Sequence, residues 1–215
     1  IVVLKGGYNV HIGDRCGGVV NITSKTGNTQ RFGGDVHVNN QLVNGYVNIP
    51  LFKKSSLQLA MRTTYPDILD PKTYRDEHTL KTNFTDFNVR YHHPFSPNDQ
   101  LNISILGNSD TYVNTFFKLD DDDFEVESIN NTQYQGGANI AYSKIWKKWG
   151  TTTINSAYST LRTYYCNQFE LEDYFNDDYD EYRQTRTQNS ISEFTTKIAH
   201  KLPARKLYQL SFGLG

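Results

Sequence analysis

The chain has 215 residues, enough for one domain with a real core, and 21% of them are charged with a net charge of −1. That balance offers no basic patch to hold phosphates, so a nucleic-acid partner finds no support. Fifteen Tyr and twelve Phe stand against one Met, which suits strands, and the lack of a long apolar run excludes a transmembrane helix but not a transmembrane barrel, whose strands alternate only weakly.

The first element is an apolar β-run, Ile1-Val2-Val3-Leu4, followed by the glycine turn Lys5-Gly6-Gly7. A second glycine pair, Gly17-Gly18, leads into the β-branched run Val19-Val20-Asn21-Ile22, and Lys25 follows. Paired glycines beside short strands predict backbone at positive φ or in close packing, so the unit reads as a compact β-hairpin. Cys16 and Cys166 lie far apart with no CxxC or His/Cys spacing, which predicts two unpaired thiols and no zinc site.

From Gly33 onward the chain reads as strands. Val36 and Val38 alternate with polar neighbours, then Val43, Val47, Ile49 and Leu51, then Leu57, Leu59 and Met61. Further alternating runs carry Phe87, Val89 and Tyr91; Leu101, Ile103 and Ile105; Ala138, Ile140 and Tyr142. A Thr- and Tyr-rich strand is read over Thr151 to Tyr165, then one at Phe194, Thr196 and Ile198, and a last one at Tyr208, Leu210, Phe212 and Leu214. Period two with one polar face marks half-buried or membrane-type strands, and nine are predicted. One face is predicted to carry Val43, Val47, Ile49, Leu57, Leu59, Leu101, Ile103, Ile105, Ile140, Tyr142, Leu210 and Phe212, with Asn102 and Ser104 on the other.

The connections are predicted to alternate. Short turns fall at Lys53, Pro94, Lys147 and Pro203; long loops are read over Tyr65 to Lys81, Val113 to Asn130 and Cys166 to Arg186, and only the first hairpin, at Asn40, is short where a long one could sit. A membrane barrel has short turns at one rim and long loops at the other, whereas a soluble sandwich shows no such parity.

Of the 23 acidic residues, 17 fall in those three stretches. Asp120, Asp121, Asp122 and Asp123 form an unbroken run, which reads as a solvated, repulsive surface or as a calcium site, because hard cations prefer clustered carboxylates. The run lacks the glycine and the ligand spacing of an EF-hand loop, so the metal stays undetermined. Tyr174, Tyr179 and Tyr182 crowd the third stretch, where they stack on a ligand or pack the loop on itself. Trp146 and Trp149 flank a two-lysine turn, as an interfacial aromatic girdle or a capped hairpin would. His92-His93 has no nucleophile or carboxylate at a telling spacing, so no enzyme activity and no cofactor are expected.

The N-terminal motifs Val3-Leu4-Lys5-Gly6-Gly7 and Gly17-Gly18-Val19-Val20-Asn21-Ile22 with Lys25 resemble, in this order, the end of the plug domain of TonB-dependent outer-membrane receptors of the Bacteroidetes type. Between them the chain departs, with Ile12-Gly13 where Tyr-Gly is usual and Cys16 where a small or aliphatic residue is usual. The resemblance implies that residues 1–27 close a plug and that residues 28–215 begin a large antiparallel transmembrane barrel of about 22 strands. It implies outer-membrane lipid as surroundings and energised uptake of a scarce nutrient, a metal chelate or an oligosaccharide. It further implies a TonB complex acting through a segment upstream of Ile1, and a surface lipoprotein as a possible partner. The acidic and tyrosine-rich stretches would then face the ligand outside the cell. The alternative is a secreted or surface-attached soluble β-domain that binds glycans.

Overall fold

The structure, a computed structural model, describes residues 2–5, 18–21, 25–52, 54–65, 78–120, 123–173, 181–204 and 210–214. It is all-β. Two short strands, β1 (Val2–Leu4) and β2 (Val19–Asn21), pair antiparallel with Val3 opposite Val20. The hairpin expected from the β-branched runs is therefore present. Gly18 has no positive φ, and a Cβ there would make ordinary contact with the Leu4 carbonyl at 3.5 Å. The close packing expected of this glycine is not required, because the Leu4 backbone stands far enough away.

The other nine strands form one open antiparallel sheet. They are β3 (Gly33–Val38), β4 (Leu42–Leu51), β5 (Ser55–Thr64), β6 (His78–Ser96), β7 (Asp99–Asp120), β8 (Asp123–Ile145), β9 (Thr151–Asp173), β10 (Glu181–Lys201) and β11 (Ser211–Leu214). Each pairs with its neighbours in sequence, and β3 and β11 are the edges. The number of strands agrees with the alternation in the sequence.

The strand lengths do not. β7 to β9 have 22 or 23 residues each. The stretch Val113 to Asn130, expected as a long loop, is a paired hairpin end connected only by residues 121–122. Cys166 to Arg186 was likewise expected as a loop, yet Cys166–Asp173 continues β9 and Glu181–Arg186 opens β10. Only residues 174–180 connect them. The physical reason is that period two reveals a strand when its faces meet different solvents. Here both faces mix polar and apolar residues, Asn114, Phe116 and Lys118 on one and Val113, Thr115 and Phe117 on the other, so no contrast between faces marks the strand, and the ladder of backbone hydrogen bonds carries it. The first long stretch shrinks less, with residues 65–77 between β5 and β6.

The register divides the sheet into two chemically different faces. One row across β4 to β10 reads Val47, Leu59, Val89, Ile105, Ala138, Tyr158, Phe194. The next row reads Ile49, Leu57, Tyr91, Ile103, Ile140, Ser156, Thr196. Between these rows, pointing the other way, runs Asn48, Gln58, Arg90, Ser104, Asn139, Ala157, Thr195. All the residues expected on the apolar face share it except Leu210, which precedes β11. Asn102 and Ser104 are on the polar face.

The apolar band has a limited height. In β4 it runs from Val43 to Leu51, and in β8 from Tyr134 to Tyr142, nine residues in each case; a tilted strand crosses the hydrocarbon layer in about 9–11 residues. No hydrophobic residue among those described is buried, and Ile105, Ile140 and Phe194 are 44%, 51% and 71% exposed. The chain exposes 16555 Å², whereas a compact chain of this length exposes about 10,000 Å². This is a single layer whose apolar face has no second layer against it among the described residues. No helix there is long and apolar enough to cross a membrane.

Candidate functional site

The polar face is shaped by three features at different heights. The lowest is the chain itself. Residues 25–32 precede β3 and fold back over β4 and β5. Asn48, 4% exposed, donates through Nδ2 to the carbonyls of Asn28 (2.9 Å) and Arg31 (3.1 Å). Gly27 sits against this corner. A Cβ there would run into Asn48 Oδ1 and come within 2.8 Å of Ser56 Oγ, so a larger residue has to push aside Asn48, which its two hydrogen bonds hold in place. Asn28 Oδ1 also accepts from the Gln30 and Arg31 amides at 2.8 and 3.2 Å, closing the turn. Beside it, His92 Nδ1 and Asn102 Oδ1 lie 3.0 Å apart, and Gln58 Nε2 donates to Tyr46 Oη at 2.7 Å.

Higher on the same face is a hollow of about 450 Å³ over Gly137. Leu106, Leu161 and Ile191 form its apolar walls, with Gln135, Asn139 and Glu193 around them. Higher still, the face is aromatic. Tyr112 and Tyr165 lie on β7 and β9, each opposite Asn131 of β8. Four residues further along, Phe116 and Phe169 repeat the pattern around Glu127. Asn167 Nδ2 donates to Glu127 Oε1 at 3.4 Å, and the Arg183 guanidinium lies 5.7 Å from the Phe169 ring. Arg183 is matched by Glu181 at 2.6 Å, which holds its already high pKa up further by hydrogen bond and charge.

The opposite rim carries the turn between β8 and β9. Trp146 to Gly150 connect β8 and β9, with Lys147 at φ 36° and Gly150 at φ 109°. A Cβ on Gly150 would lie on the Lys201 carbonyl. Trp146 Nε1 donates to Thr152 Oγ1 at 2.8 Å, and Thr152 Oγ1 lies 2.9 Å from His200 Nδ1. His200 Nε2 lies 2.9 Å from the Trp149 carbonyl and donates to it. Lys144 Nζ lies 4.6 Å above the Trp146 ring. Asp99, below the apolar band at this rim, accepts from Tyr142 Oη and Ser96 Oγ, both at 3.0 Å, with Lys144 Nζ at 3.4 Å. Partial burial works against its charge, but these hydrogen bonds and the lysine outweigh it and hold the carboxyl below its usual range.

The expected site residues fall as follows. Lys5, Gly18 and Lys25 are exposed, and Asn21 lies in β2 opposite Val2; Gly6, Gly7 and Gly17 lie outside the described residues. Asp120 and Asp123 pair at the tip of the β7–β8 hairpin, not in a long loop; Asp121 and Asp122 lie outside the described residues. Tyr182, expected in a loop, is in β10 opposite Glu170 and 59% exposed; Tyr174 and Tyr179 lie outside. Among the described residues no group of three His, Cys, Asp or Glu side chains is placed to hold a metal ion. Cys166 is a free thiol, with Gln184 Nε2 at 3.6 Å from its sulfur. The sequence reading missed Asn48, the Gly137 hollow and the aromatic pairs above it. The spacing Tyr112 to Phe116 and Tyr165 to Phe169, four residues in each strand, was a signal that both pairs share one face. Comparison with protein families, with characterised proteins and with solved structures finds no match for this chain.

Proposed function

We propose that the chain is part of a TonB-dependent outer-membrane receptor, the end of its plug and the first nine strands of its barrel. Its function would be energised uptake of a scarce nutrient, a metal chelate or an oligosaccharide. The observation that carries this reading is the single-layer sheet with a nine-residue apolar band on one face and a polar opposite face. A soluble β-domain must cover such a band with a second layer, whereas lipid covers it in a barrel wall.

Two further observations support it. Lys25 to Phe32 lies on the polar face through Asn48 and Gly27, as a segment handing a plug over to the first strand must do inside a lumen. The aromatic side chains Tyr134 and Tyr142 end the band in β8 and Trp146 follows, as an interfacial girdle does. On this reading the rim of the Trp146 turn is periplasmic and the long strand ends of β7 to β10 project outside the cell. The outer membrane is the location, TonB is the energising partner, and a surface lipoprotein is a further one.

Labelling on whole cells tests the topology. With Cys16 and Cys166 first replaced, a cysteine at Asp122 or Asp178 of the full-length protein reacts with an impermeant thiol reagent. A cysteine at Lys147 reacts only after the outer membrane is opened. The reverse pattern overturns the reading.

A further inference from the structure

We propose that the polar face above the apolar band is a binding platform for a neutral oligosaccharide, built on Tyr112, Phe116 and Tyr165. The inference selects one nutrient class within the receptor reading and rests on that reading for access to this face.

The three rings are 40%, 43% and 39% exposed, so each presents a partly open apolar surface. Tyr112 and Tyr165 both oppose Asn131, one from either side, which places them two strand spacings apart, about 9–10 Å. Phe116 lies four residues beyond Tyr112 on the same strand, about 13 Å away. The register is continuous across β7, β8 and β9 here, so the spacing is rigid rather than left to loops. An array of rings set on strands is matched by a ligand that repeats, with an apolar ring face at each unit.

The groups between the rings decide the ligand's polarity. They are the exposed amide of Asn131 and the Glu127 carboxylate with Asn167. The amides donate to and accept from hydroxyls at the ring edges and the carboxylate accepts from them, which suits polyhydroxylated rings. Asp110 lies on the same face, one step below Tyr112, and the Arg183 charge is already matched by Glu181. Lys118, beyond Phe116 on this face, stands opposite Glu125, so the carboxylates of Asp110, Glu125, Glu127 and Glu181 outnumber the cations of Lys118 and Arg183, and the local field is negative and opposes an anionic chelate. Hydroxyls and amides beside partly open aromatic rings form the usual mix of an apolar site with a few placed polar groups.

The test uses the full-length protein in detergent micelles and four neutral probes: maltohexaose, cellohexaose, mannohexaose and xylohexaose. The ferric complex of a tris-catecholate is the anionic comparison. Calorimetry should show binding of at least one hexasaccharide and none of the ferric complex. Tyr112→Ala and Tyr165→Ala should each weaken it about ten-fold, while Tyr112→Phe keeps the ring and retains binding. Tyr134→Ala and Tyr158→Ala, on the opposite face, leave it unchanged. Failure of all four hexasaccharides, preference for the ferric complex, or equal loss from the opposite face overturns the proposal. The whole-cell labelling pattern is read separately, so loss of the sugar site with labelling intact overturns this inference alone, and reversed labelling overturns the receptor reading.

Discussion

Ile105→Arg compared with Ser104→Arg puts the same charge one residue apart on opposite faces of β7. Ile105 lies in the middle of the apolar band, opposite Val89 and Ala138, and is 44% exposed. Ser104 lies between Arg90 and Asn139 on the polar face. If the band meets lipid, an arginine at the midplane costs about 2–4 kcal/mol, a factor of about 30 to 900 in the folding equilibrium. If the band meets water, the same exposed position costs less than about 0.5 kcal/mol. Ser104→Arg adds a like charge beside Arg90 but stays on the polar side, and is expected to cost under about 1 kcal/mol. The assay is urea unfolding of the full-length protein refolded into lipid vesicles, with outer-membrane abundance in cells as the second readout. Ile105→Arg should shift the midpoint down and reduce abundance; Ser104→Arg should do neither strongly. Equal costs for the two, or a larger cost at Ser104, would refute the assignment of the faces.

Three other outcomes are expected. Gly27→Ala forces its methyl into Asn48 and Ser56 and should cost about 1–3 kcal/mol as overpacking does; Gly27→Ala combined with Asn48→Ala should recover part of that in the same unfolding assay, and an unchanged midpoint for Gly27→Ala would show that the fold-back does not hold. The carboxyl of Asp99 is held below its usual 3.8, so its contribution is present above that pH and lost as pH falls through the lower folded value; Asp99→Asn should flatten the acid limb of a stability-against-pH curve, and an unaltered limb counts against the cluster with Tyr142 and Lys144. These 215 residues made alone have two open edges, β3 and β11, and an uncovered apolar band, so sedimentation should show aggregates or edge-paired oligomers; a monodisperse monomer that melts cooperatively would favour the soluble glycan-binding β-domain.

Local alternation was enough to locate most strands and their faces. Val43 to Leu51, Leu57 to Met61 and Leu101 to Ile105 each carry a period-two contrast within a few residues, and the backbone pleat turns that contrast directly into a face. The β1–β2 hairpin was equally legible from two β-branched runs. What the sequence could not disclose depends on partners distant along the chain. Val113 to Asn130 looks like a loop because its acidic run interrupts it and both faces mix polar and apolar residues, and only pairing with β6, β8 and β9 makes it strand. The fold-back needs Asn48 to meet Asn28 and Arg31, 20 and 17 residues away. Tyr112 and Tyr165 become neighbours only through a register in which Asn131 stands between them. Alternation is a property of adjacent residues and is written in the chain, whereas register is set by cross-strand hydrogen bonding and is decided in three dimensions.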